Sequence, residues 1–187
     1  MLLDAGGIFV LNKIDMAVSA TEYWLRGPVK DVPALLQPAA HALLQSRDEI
    51  QRALVDFPVD KLWAKPASVA SVGFHLQHLA GVIDRLFTYA KGETLNQEQF
   101  DYLAVEGKRK DSISVTDLFQ HFSAGIDKAI HQIKQTDPGQ LNKVRSVGRK
   151  QIPSTVIGLI FHAAEHSMRH TGQLLVTVAV LKNVEIH

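Results

Sequence analysis

Three histidines stand at intervals of four in His162-Ala-Ala-Glu-His166-Ser-Met-Arg-His170, and another two, His75 and His78, stand three apart in the first half of the chain. On an α-helix a step of four residues climbs about 6 Å and drifts about 40° around the axis, so the later three share one face. Neutral imidazoles so spaced can grip a divalent ion at about 2.1 Å from each nitrogen. His162 and His170, however, lie about 12 Å apart along the axis, too far to share one ion, so one end of the ladder is not a ligand. Closing a tripod then takes a ring from a facing helix, which His75 or His78 could supply. Three histidines with an open position suit Zn²⁺ or Ni²⁺ first, with Fe²⁺ or Mn²⁺ behind them, and the chain has no cysteine to favour a softer ion. The competing reading of both clusters is a buried polar network without metal.

The same letters contain a second pattern. His162-x-x-Glu165-His166 is the order found in inverted zinc peptidases, where the glutamate is the general base. Such enzymes need a further acidic ligand downstream, and the sole carboxylate side chain after His166 is Glu185, past the expected end of the helix. Glu165 therefore reads more simply as a surface charge paired with Arg169, four residues on. Arg85 follows His78 by seven residues, roughly on its face. It could meet an anionic group, but a solvated or salt-bridged arginine is the simpler expectation. Trp63 and Tyr89 read as packing residues, and His41, His121, His131 and His187 as ordinary hydrogen-bonded rings.

Four amphipathic segments would position these residues. The first follows Pro33 and places Leu36, Ala40, Leu43, Ile50, Leu54 and Phe57 on one side before Pro58 stops it. The second runs from about Ser71 to Lys91, carries His75 and His78 in its first turns, and has Gly92 as its C-cap. A polar connection follows, with a short helix at Gln97 to Val105. The third opens on Ser114-Val-Thr-Asp117, a capping box with Asp for the usual Glu, and Phe119, Phe122, Ile126, Ile130 and Ile133 form its core face. Asp137-Pro-Gly139 ends it. The fourth starts at Pro153-Ser154, with Ser154 as N-cap, and reaches about Leu181; Gly158 and Gly172 interrupt it and suggest close approach of backbone. No convincing strand stands out, so the expected architecture is one all-α domain over residues 1–187, a four-helix bundle with its histidines between helices 2 and 4. Residues 1–30 read as a partly irregular N-terminal extension, and Met16 precedes a more ordinary polar start than Met1.

Bulk composition narrows the partners. At 187 residues the chain can bury a core without a structural metal, so a bound ion would be functional. A formal charge of +1 and the absence of a long basic run argue against nucleic acid. The apolar run from Leu174 to Leu181 is far shorter than the ~20 residues of a membrane helix, and the N-terminal stretch lacks a basic region before its apolar patch. A soluble, cytoplasmic protein is the expectation.

Two stretches, "SVGFHLQHLAGVIDRLFTYAKGE" (71–93) and "PSTVIGLIFHAAEHSMRHTGQLLVTVAVLK" (153–182), resemble the DinB superfamily. The first is similar to its histidine-bearing second helix and the second to its H-x-x-x-H-x-G-Q signature. The resemblance implies a four-helix bundle with a three-histidine metal site, made here by His78, His166 and His170, with His75 and His162 as neighbours that orient a ligand ring or touch substrate. A fourth ligand from His75 or His162 stays open, and Glu165 and His162 are the available acid–base candidates. The family also implies a homodimer and, for its characterised members, transfer of low-molecular-weight thiols to a small electrophile or isomerisation of a thiol adduct. Hydrolysis by activated water is a second chemistry for the same site. A non-catalytic metal- or ligand-binding helical dimerisation module is the alternative from another class.

Overall fold

The computed structural model describes residues 21–183. Of the 1–30 extension, residues 1–20 fall outside them, as do the choice between Met1 and Met16 and His187, while residues 21–30 hold a short 3-10 turn, Tyr23–Arg26, in otherwise irregular chain. Five α-helices are present among the described residues: α1 Gln37–Ala53, α2 Val72–Lys91, α3 Gln97–Val105, α4 Val115–Gln135 and α5 Val156–Asn183. The long helices pack in a ring, α1 against α5, α5 against α2, α2 against α4 and α4 against α1, while α3 lies outside on α2. This is the all-α bundle the hydrophobic period implied.

Local chemistry sets the helix ends. Ser71 accepts a hydrogen bond from the Phe74 amide at 3.1 Å to open α2. Gly92, at φ 89°, closes that helix in a left-handed conformation that costs glycine nothing. The expected capping box opens α4: the Asp117 amide donates to Ser114 Oγ at 3.0 Å and the Ser114 amide donates to Asp117 Oδ2, also at 3.0 Å. Pro38 sits in the first turn of α1, where its missing N–H costs nothing. Phe57 lies beyond that helix, in the loop, and is buried nonetheless.

Two expectations need correction. A hairpin, β1 Val144–Val147 with antiparallel β2 Ile152–Thr155, joins α4 to α5 where no strand was expected. Accordingly Ser154 is not a helix cap. The chain is still extended there, and the Thr155 hydroxyl accepts from the Gly158 amide at 3.1 Å, one residue later than expected. Pro153 gave the misleading signal, because a proline before Ser and an apolar run resembles a helix start. It is tolerated opposite Ser146 since a two-stranded sheet has free edges.

The core runs the length of the bundle. Leu43, Leu76, Leu79, Ile83, Phe122, Ile126, Ile133, Ile160 and Leu174 are each under 2% exposed. α2 and α5 run antiparallel, because His75 pairs with His170 and His78 with His166. α1 instead runs alongside α5 in the same direction, tied by a buried 2.6 Å hydrogen bond between the Ser46 and Thr171 hydroxyls and by Lys182 Nζ donating to the Val55 carbonyl at 2.5 Å. No described helix is long and apolar enough to cross a membrane.

Candidate metal centre

Antiparallel packing of α2 on α5 decides which rungs of the histidine ladder meet. As α2 climbs from His75 to His78, the facing turns of α5 descend from His170 to His166; the next turn of α2 carries Gly81 and Val82 and offers no ring to His162. His78, His166 and His170 each present a nitrogen within 4.8 Å of the other two. His78 Nε2 and His166 Nε2 lie 2.9 Å apart. Donors at about 2.0–2.1 Å from one tetrahedral ion stand about 3.4 Å from each other, so the span brackets what an ion needs. All three rings are half-buried and neutral imidazole is the required ligand form.

His75 is not a member of this trio. It is 2% exposed and its Nδ1 lies 3.1 Å from Nδ1 of His170, so one ring donates and the other accepts. This orients His170 from behind. Burial, and secondarily the charge of His78, lowers the His75 pKa from 6.5 to about 4. His170 falls to about 4 for the same first reason, with His78, His166 and His75 adding to it. Burial also lowers His166, helped by His78. His162 stays at the surface, its side chain 53% exposed, with Nδ1 3.4 Å from Glu165. Glu165 pairs with Arg169 as a helix-surface charge.

Arg85 and Glu106 complete the surroundings. The Arg85 guanidinium donates to Glu106 Oε1 at 2.5 Å, and the second carboxylate oxygen, Oε2, accepts from His78 Nδ1 at 2.9 Å. Burial alone would raise the Glu106 pKa, but hydrogen bonds from His78 and Arg85, and their charges, outweigh it and hold the carboxyl below its usual range. Arg85 is thus salt-bridged. Glu106 was invisible in the sequence, one carboxylate in a polar connection; the only hint was an arginine sharing the face of His78 and in need of an acidic partner.

Other rings behave as packing groups. His41 Nε2 lies 3.1 Å from the Gly27 carbonyl, and His121 stacks on Tyr102. Trp63 and Tyr89 pack on the core, Trp63 so closely that its ring covers Gly73. Gly158 is tight against Ser154 and Thr155, whereas open space surrounds Gly172, so close approach of backbone accounts for the first glycine and not the second. A cleft of about 930 Å³ between α2, α3 and α4, walled by Gly81, Arg85, Tyr102, His121 and Lys128, reaches Arg85 but neither Glu106 nor any of the three histidines.

A family model of the DinB superfamily matches residues 42–174, which include all three histidines and most of the bundle. The chain belongs to the DinB superfamily. No curated protein matches it. Within this DinB chain the donor set fits a divalent ion: three imidazole nitrogens converge, with two more ring nitrogens braced by Glu106 and His75.

The same protonation states make the metal-free fold acid-sensitive. Between pH 6.5 and about 4 the unfolded chain protonates the imidazoles corresponding to His75 and His170, while the folded chain does not. Their contribution therefore costs nothing above 6.5 and subtracts stability as pH falls toward 4. Glu106 acts in the same direction: its lowered pKa gives stability that is lost as pH falls through the folded value. Thermal unfolding of chelator-treated protein should show Tm falling steadily from pH 7 to 4.5, and less steeply in His75→Phe. A flat profile would contradict the neutral, buried state of these rings.

Proposed function

We propose that this DinB-superfamily protein is a divalent-metal-dependent enzyme that joins a low-molecular-weight thiol to a small electrophile. The convergence of three imidazole nitrogens carries the reading. His78, His166 and His170 would hold Zn²⁺ or Ni²⁺, and the ion supplies Lewis acidity, lowering the pKa of a bound thiol or water. Thiol chemistry is favoured over hydrolysis by the fate of the nearby carboxylates. Glu106 is committed to His78 and Arg85, and Glu165 to Arg169, so neither is free as a general base. A thiol, whose ordinary pKa of about 8.5 is far below that of water, needs that help least. The chain brings no cysteine, so the sulfur nucleophile would arrive with the cosubstrate, in a reducing cytoplasmic setting. His162, exposed one turn from His166, would be the ring available to touch substrate.

Phe161, Val176 and Val180, all exposed along α5, support association of two copies. The test of function is a panel of small thiols offered with aryl halide and epoxide acceptors, read by mass of the adduct. Adduct formation that needs added Zn²⁺ or Ni²⁺ and disappears in His166→Ala is expected. Equal turnover by metal-free protein, or no turnover with any thiol, would overturn the assignment, the latter leaving a binding module.

A further inference from the structure

We infer that Glu106 is a positioning residue for the metal centre, a carboxylate clamp that fixes the ring of His78 so that its Nε2 lone pair faces His166 and His170. The inference rests on the metal-binding reading above and says how that site is held. An ionised carboxylate only accepts hydrogen bonds, so the 2.9 Å contact with Glu106 Oε2 requires the proton of His78 to sit on Nδ1. Nε2 is then left unprotonated, the form a metal ligand needs. His166 Nε2, 2.9 Å across, must donate to it while no ion is bound, and His166 Nδ1 is buried with no hydrogen-bond partner among the described residues. Of the three rings, His78 is braced by Glu106 and His170 by His75, whereas His166 has no such brace from outside the trio among the described residues.

The surroundings of Glu106 are built for this hold. Its side chain is 7% exposed and that of Arg85 11%. The Gly107 amide donates to Gln77 Oε1 at 2.7 Å, and the Tyr102 hydroxyl donates to the Gln77 carbonyl at 3.1 Å, so α3 before the glutamate and the loop after it are both pinned to α2. Gly107, at φ 76°, seats against Phe74, where a Cβ would come within 2.8 Å of the ring, and Phe74 in turn stacks on His78 at 5.3 Å. A mere structural ion pair would need Arg85 alone. The second oxygen is aimed at a histidine of the trio.

Glu106→Gln tests the clamp because an amide cannot serve both partners: if its oxygen accepts from Arg85, its NH₂ faces His78 Nδ1 and drives that ring into the opposite tautomer. Two readouts are needed, Zn²⁺ affinity by competition with a chromophoric chelator, and the tautomer of His78 by ¹⁵N NMR of the imidazole nitrogens in metal-free protein. Expected is a loss of affinity of about 10- to 100-fold, with His78 protonated at Nδ1 in the parent protein and at Nε2 in the variant. Unchanged affinity in a folded variant overturns the inference, as does an Nε2-protonated His78 in the parent protein, which can be read even if the variant does not fold. Failure of the parent protein to bind Zn²⁺ overturns the metal reading instead, and the tautomer of His78 still decides whether Glu106 holds the ring.

Discussion

Gly81→Ala should leave the bundle folded and weaken Zn²⁺ binding by about 10- to 100-fold. Gly81 sits in the middle of α2, where alanine would ordinarily gain up to about 1 kcal/mol of helix propensity. The space its side chain would need is already taken. A Cβ there would collide with Glu106 Oε1, lie 2.6 Å from Arg85 Nη1 and lie 2.9 Å from the Tyr102 ring. Two of these are the ends of flexible side chains, so the fold can yield at small cost, but what yields is the Arg85–Glu106 pair that braces His78. The substitution therefore separates stability from site geometry: far-UV circular dichroism and Tm should be close to those of the parent protein while chelator competition shows the affinity loss. Unchanged affinity would mean that the pair has no hold on the ligand ring.

Saturating Zn²⁺ should raise the unfolding temperature by about 8–16 °C relative to chelator-treated protein. An ion present at about 1,000 times its Kd, binding only the native state, stabilises by about 4.1 kcal/mol, and a domain of this size shifts by about 2–4 °C per kcal/mol. The unfolded chain offers weak competition because the ligands come from helices far apart in sequence; His166 and His170 alone form a local pair. Differential scanning fluorimetry with and without Zn²⁺ measures the shift, and His78→Ala should abolish most of it. A shift that survives His78→Ala would place the ion on other groups.

The histidine spacing was readable because a helix converts intervals of four into a shared face, and that holds whatever the tertiary fold. Choosing between His75 and His78, and between the two ends of the ladder, took the family resemblance, since period alone does not say how α2 lies against α5. The antiparallel packing then brought His78 to His166 and His75 to His170. The caps at Ser114 and Gly92 were legible for the same local reason. What escaped was non-local or ambiguous: the Glu106 clamp joins a loop to residues more than twenty positions away, and the 144–155 hairpin is too short for alternation to outweigh the helix-start pattern at Pro153-Ser154. Gly172 has open space around it, and nothing in the structure explains the glycine there.

The central claim is that His78, His166 and His170 together hold one divalent ion. Elemental mass spectrometry on protein purified without chelating resin, then supplied with Zn²⁺ or Ni²⁺ and desalted, tests it most directly when run beside His78→Ala, His166→Ala and His170→Ala. About one ion per chain is expected in the parent protein, with loss of that ion in each variant. A parent protein that takes up no stoichiometric metal, or a variant that keeps it, would contradict the account and leave the histidines as a structural polar network.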